Sequence, residues 1–205
     1  MERVRIYDES GVAQRKGTGL FAAALLGRFP TLPVEEEGRL HDMPIRENFI
    51  ERVFAYARWR AFLEAAPRSK DLVAFHTRHK LTLLAHDEKT YRRMGRLVAE
   101  AGGGKVRESL NQYGTLLMQA LKVHATARKH ANVLFHLMGY LKQHLDAEDR
   151  AELVGQIESY RKRLVPLIVP ITLLLHHFRR YPVDWVMEQT YLSPYPAELM
   201  LRNHV

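Results

Sequence analysis

The chain has 205 residues, 46% hydrophobic and 26% charged, enough apolar material for a substantial core and room for one or two domains. It contains no cysteine, which excludes disulfides, thiolate metal ligation and a cysteine nucleophile; a reducing compartment, the cytoplasm, is expected. Net charge is +8, and residues 66–145 hold 14 Lys/Arg against 5 Asp/Glu, so the excess is concentrated in one stretch, as suits a polyanion partner.

In chain order, MERVRIYDES is charged, lacks the apolar core of a signal peptide, and alternates Val4 and Ile6 as a short strand would. Strand signals are almost absent after residue 10. DESGVAQRKGTG reads as a loop, Leu20–Phe29 as a short helix stopped by Pro30, and the next stretch as a loop with three prolines. The organisational boundary falls near residue 46, dividing an N-terminal segment, 1–46, from a helical domain, 47–205.

Helical spacing dominates from there. Phe49, Val53, Tyr56 and Phe62 predict a helix over Asn48–Ala65, broken by Pro67. Ser69 is placed to cap a helix running to His86, with one stripe of Leu72, Phe75, His79 and Leu83 and another of Val73, His76, Lys80 and Leu84; two stripes predict a central helix. Asp87 opens a further helix, which Gly102-Gly103-Gly104 ends. Residues 106–126 and 128–145 each carry one apolar face. Asp146, with Asp149 three residues on, is an N-cap signal. Pro166 begins an apolar helix, which Pro170 is expected to kink; a short helix over Asp184–Tyr191 and a turn at Ser193-Pro194-Tyr195-Pro196 finish the chain. Leu164–Leu175, the most apolar run, is too short for a membrane span and contains two prolines. The expected class is all-α, a bundle of about six long helices with a short irregular N-terminal segment.

No motif for chemistry stands out. Eleven histidines raise metal binding, yet neither His-Glu-x-x-His nor paired Glu-x-x-His is present. No serine sits in a Gly-x-Ser-x-Gly elbow. Glu35, Glu36 and Glu37 read as a solvated acidic loop. Basic clusters recur instead: Arg78 and Lys80; Arg92 and Arg93; Arg128, Lys129 and His130 with Asn132; Arg161 and Lys162; Arg179 and Arg180. They are interleaved with Tyr91, Tyr140, Tyr160 and Tyr181. Cations can hold phosphates, aromatic planes can stack on unpaired bases, and the 128–132 cluster begins a helix whose backbone N–H groups add to its positive field. Solvated helix faces with snorkelling side chains remain the plainer account of each cluster.

The strings LVAFHTRHKLTLLAH (72–86), ATARKHANVLFHLMGYLK (125–142), IESYRKRLVPLIVPITLLLHHFRRY (157–181) and QTYLSPYPAELMLRN (189–203) resemble the bacterial YbgA family, a domain of unknown function. RVRIYDESG, KGTGLFAAALLGRFPTLPVEEEGRL and RENFIERVFAY resemble the C-terminal end of a thiouracil desulfidase (TudS-like) domain, which precedes a YbgA domain in fused proteins similar to tRNA 4-thiouridine desulfidases. The resemblance implies a first domain holding a [4Fe–4S] cluster through three cysteines and a helical domain gripping tRNA, with a desulfidase domain or subunit as second partner. In that family the last cluster cysteine stands just before a stretch like MERVRIYD. This chain begins at that methionine without any cluster cysteine, so either an internal start, the favoured reading, or a degenerate remnant is expected, with no cofactor in this chain and no catalysis by it alone. Half a domain buries its own core poorly; residues 1–45 are expected to be poorly ordered or to pack only against the helices. The leading reading is a tRNA-binding module. The alternatives are a stand-alone enzyme with a site, metal-dependent or not, built on His76, His79 or His130, and a scaffold with a large apolar patch.

Overall fold

A computed structural model describes residues 4–7, 10–11, 13–17, 19–102 and 106–205. Val4–Tyr7 (β1) pairs antiparallel with Ala13–Gly17 (β2), with a register irregularity between Val4 and Ile6. The first strand was expected; the second falls where a loop was expected. AQRKG has no apolar alternation, so its extended form comes from pairing with β1 rather than from a pattern of its own. Helix α1, Leu20–Arg28, buries none of its residues, and Leu20 and Phe21 are 92% and 81% exposed.

The bundle begins earlier than Asn48. Asp42 caps α2, Met43–Glu64, by accepting from the Ile45 N–H, and Pro44 occupies the first turn, where a missing N–H costs nothing. Then follow α3 (Ser69–His86), α4 (Glu88–Glu100), α5 (Val106–Lys122), α6 (Ala127–Tyr140), α7 (Ala147–Arg161), α8 (Ile168–Arg180) and the short α9 (Asp184–Met187). Among the described residues, α2 to α8 are seven helices of 13 to 22 residues, in keeping with the expected bundle of about six. None is long and apolar enough to cross a membrane.

Local chemistry sets the boundaries. Asp87 accepts from the Lys89 and Thr90 N–H groups, Thr126 from Lys129, and Asp146 from Asp149. Ser69 does not cap α3; its hydroxyl donates to the Ala101 carbonyl at the far end of α4, while Asp71 accepts from the Arg68 N–H. Pro170 does not kink α8. It lies in the first turn, where its lack of an N–H breaks no helical bond.

Helix α3 is central, as expected, and divides two cores. Leu72, Phe75 and Leu83 face Trp59, Tyr113 and Leu117 of α2 and α5; Leu81 and Ala85 face Leu134, Leu137 and Phe178 of α6 and α8. The second face runs through Leu81, Leu84 and Ala85; of the expected second stripe Leu84 lies on it, while Val73 is exposed. Gln189 fastens the C-terminal segment to α3: its amide donates to the Thr77 carbonyl and accepts from the Leu81 N–H.

Helix α2 buries Glu47, Asn48, Glu51, Arg52, Ala55 and Trp59, a polar stripe, while Val53 of the expected apolar stripe is exposed. Trp59 crosses α5 at Gly114, where a Cβ would run into Nε1 and stand 2.8 Å from Cε2. Trp59 is also packed against Phe62, Phe75 and Tyr113, so it has nowhere to retreat. Gly114→Ala is expected to cost about 1–3 kcal/mol by overpacking, read as a lower urea midpoint with altered tryptophan fluorescence; an unchanged midpoint would mean that α2 and α5 do not meet this closely.

Candidate nucleic-acid interface

Helices α6 and α7 run antiparallel, so the start of α6 lies beside the end of α7; the His130 ring meets Tyr160 with centroids 6.1 Å apart. Helix α7 closes with the Leu164 N–H on the Ser159 carbonyl and the Arg163 N–H on that of Tyr160. Arg163 sits at φ +62°, the left-handed position that usually takes glycine. Arg128, Arg161, Lys162 and Arg163 are all exposed at this end. Arg161 pairs with Glu158 at 2.6 Å; among the described residues, Arg128, Lys162 and Arg163 make no ion pair.

Between the two helix ends is a cleft of about 510 Å³, completed by the C-terminal residues Asn203 to Val205, with Pro44, Tyr160 and His130 on its walls. Behind it lies a buried ionic network. The Nδ1–H of His86 donates to the Val123 carbonyl at 2.6 Å, and its Nε2–H to Glu51 at 2.9 Å. Both partners are acceptors, so both nitrogens carry protons and the ring is an imidazolium. Burial opposes that charge, but Glu51 outweighs it and raises the His86 pKa. Burial would likewise raise the Glu51 pKa; the adjacent His86 instead holds it down at about 2. One turn away Glu47 accepts from the Tyr195 hydroxyl at 2.8 Å and lies 3.7 Å from Arg202. Burial and the charge of Glu51 push the Glu47 carboxyl up. Arg202 donates to the Tyr191 carbonyl at 2.6 Å, and the Tyr191 hydroxyl meets Nδ1 of His130 at 3.0 Å.

The cations singled out in the sequence do not form one surface. Arg128, Lys129, Asn132, Arg161 and Lys162 gather at the cleft end. Lys129 also donates to the His86 carbonyl, so it anchors the α3–α6 contact as well as carrying charge. Helix α4 begins just after that contact; Arg92 on it pairs with Glu88 and borders a separate surface pocket with Lys89 and Arg96. Arg179 and Arg180 are at the other end, where Tyr181 stacks on His144 beyond the close of α6. Arg78 is exposed along the side of α3, and Lys80 lies 3.8 Å over the Trp185 ring. His130 is not a surface group: it is 7% exposed, because its apolar neighbours on α6 turn that face inward.

The tyrosines are largely committed too. Tyr91 stacks on His76, Tyr140 packs on Trp185, and Tyr160 is buried. His76 meets Tyr113, and Nδ1 of His79 the Phe75 carbonyl, both away from His130. Among the described residues, no three His, Cys, Asp or Glu side chains are grouped to hold a metal ion. Glu35 is half-buried between Arg39 and Arg52 rather than solvated. Sequence reasoning missed Glu47, Glu51, His86 and Arg202 altogether. The available signal was the i, i+4 carboxylate pair on α2, which hydrophobic patterning discards.

Removing one partner of a buried pair strands the other charge. Glu51→Gln is expected to cost about 3–5 kcal/mol in urea unfolding; a loss under about 1 kcal/mol, as for surface pairs, would mean that His86 is not charged in the fold. Acid should also destabilise. Burial chiefly holds His79 and His130 down to about 3 and His76 to about 4. The unfolded chain takes up protons at these groups from pH 6.5 downward while the fold does not, so their contribution is lost as pH falls below 6.5. The Glu51 contribution is present above its unfolded value of 4.5 and is lost as pH falls from there towards 2. That of His86 is complete below 6.5 and fades as pH rises through its higher folded value. Thermal midpoints should therefore fall between pH 7 and pH 4; a rise on acidification contradicts the neutral buried imidazoles.

Residues 80–196 match the model of a family described as "Protein of unknown function (DUF1722)". The "Uncharacterized protein YbgA" of Escherichia coli (strain K12) is 33% identical over 158 residues, covering 77% of this chain and 94% of that protein. No solved structure matches the chain. The matched stretch spans the second half of α3, the whole α6–α7 end and the Tyr191–Tyr195 segment behind the cleft, and the chain belongs to the DUF1722 family.

Proposed function

We propose that this protein is an RNA-binding module with tRNA as its partner, and that it grips phosphates at the bundle end formed by the start of α6 and the close of α7. The observation that carries this reading is the set of exposed cations Arg128, Lys162 and Arg163, free of carboxylate partners among the described residues, beside the open N-terminus of α6. Such an end offers both point charges and unsatisfied backbone N–H groups to a phosphate. The reading extends to service in tRNA 4-thiouridine desulfidation, with the iron–sulfur chemistry in another domain or subunit. The resemblance of residues 1–46 to a desulfidase segment supports that part.

Bulk tRNA should bind at about 50 mM salt and weaken steeply as salt rises, because each neutralised phosphate releases counterions. The double variant Arg128→Glu, Lys162→Glu should lose about 10- to 100-fold in affinity, while Arg179→Glu, Arg180→Glu at the opposite end should lose less than about threefold. Filter or gel-shift titration decides. No binding by the folded protein at low salt sinks the reading, and equal losses from the two ends would move the interface elsewhere.

A further inference from the structure

Three clefts on the described surface have similar volumes, about 490, 510 and 500 Å³. Two of them have an acidic side chain in the wall, Glu64 in one and Glu152 in the other. In the cleft between α6 and α7 no side chain is acidic; its polar side chains are His124, Thr126, His130, Tyr160, Arg163, Asn203 and His204, and the terminal carboxylate of Val205 lies in the wall, one oxygen taken by the Leu167 N–H. Among the side chains of that wall Arg163 brings a guanidinium and none is acidic, so the side chains favour an anion.

His130 makes that preference specific. Tyr191 takes its Nδ1, which leaves Nε2 as the nitrogen for the cleft that the ring lines, with no partner among the described residues. The ring is 7% exposed, and burial, followed by the charges of Arg202 and His86, keeps it neutral. It can thus donate or accept one directed hydrogen bond without bringing a charge. Above it, Ala127 and Arg128 begin α6 with N–H groups that no helical carbonyl can reach. Arg163 stands opposite in a backbone conformation that costs a non-glycine residue free energy, a form of strain that concentrates at binding sites. The rest of the wall is flat and apolar: Tyr160, Pro44, Pro166 and Leu164, the last 73% exposed at the rim.

We propose that this cleft is a nucleoside monophosphate site. The phosphate lies between the α6 N-terminus and Arg163; the base lies against Tyr160 and the apolar wall, with one edge hydrogen-bonded to His130. The volume is within the ~300–1,000 Å³ range of small-ligand sites and admits one nucleotide, not a stacked pair. The nucleotide can come from a single-stranded, unstacked position of an RNA, or be free. The first source rests on the RNA-binding reading above, since the exposed Arg128 and Lys162 at the mouth would then take the neighbouring phosphates.

Uridine and adenosine 5′-monophosphates, the parent nucleosides and inorganic phosphate are titrated into the full chain, with histidine ring resonances followed by NMR. The monophosphates should shift His130 and bind at least about tenfold more tightly than nucleoside or phosphate alone. Arg163→Gly supplies the second arm. Glycine suits the left-handed position, so its thermal midpoint should stay level or rise, while monophosphate affinity falls about tenfold or more. A gain in stability with unchanged affinity overturns the proposal, as does an unmoved His130 or phosphate binding as tight as that of the monophosphates. Binding of tRNA without any monophosphate binding removes this site and leaves the RNA reading; monophosphate binding without tRNA binding does the reverse and identifies the free nucleotide as the ligand.

Discussion

The contact on which this fold turns is the buried pair between Glu51 and His86, 2.9 Å apart and almost wholly removed from water. Each charge is tolerable only because of the other. With Glu47 and Arg202 alongside, two carboxylates face two cations, and the four come from α2, α3 and the C-terminal turn, more than 150 residues apart in sequence. An arrangement of this kind contributes little net stability over an apolar one of the same shape, but it penalises every misregistered packing heavily, because a slipped helix leaves a bare charge in the interior. The network therefore fixes which face of α2 is buried and where the chain's last turn docks.

That docking in turn shapes the cleft. Arg202 reaches the Tyr191 carbonyl, Tyr191 holds His130 by its Nδ1, and the following residues Asn203 to Val205 form one wall, pinned where the Leu167 N–H donates to an oxygen of the Val205 terminal carboxylate at 2.7 Å. The candidate ligand-facing groups thus sit on helix ends and a helix close, while the ionic network behind them holds those ends in place. Rigid support of this sort is what lets a neutral, buried histidine present a single directed hydrogen bond.

The positive charge of the sequence has two fates. Lys80, Lys129 and Arg202 are used within the fold, covering Trp185, holding the α3–α6 junction and balancing Glu47. Arg128, Lys162 and Arg163 remain outside at one end. A count of basic residues does not separate these groups, because charge says nothing about whether a side chain meets water or a carbonyl.

The sequence by itself determined the helices, the starts at Asp87 and Asp146, the central place of α3 and, among the described residues, that no helix is of membrane length, since all of these follow from local periodicity and side-chain-to-backbone bonds within a few residues. It misread part of α2: Tyr56 and Phe62 of the expected stripe do pack on the core, but Val53 is exposed and Glu47, Glu51 and Arg52 are buried. Hydrophobic patterning assumes that charges stay in water, and that fails when each finds an opposite charge on a distant segment. It also scattered the candidate site over five helices. Only the tertiary structure separated Arg179 and Arg180 from Arg128 and Lys162, turned His130 inward and joined it to Tyr191, because which helix ends become neighbours depends on antiparallel packing between segments that no local spacing records.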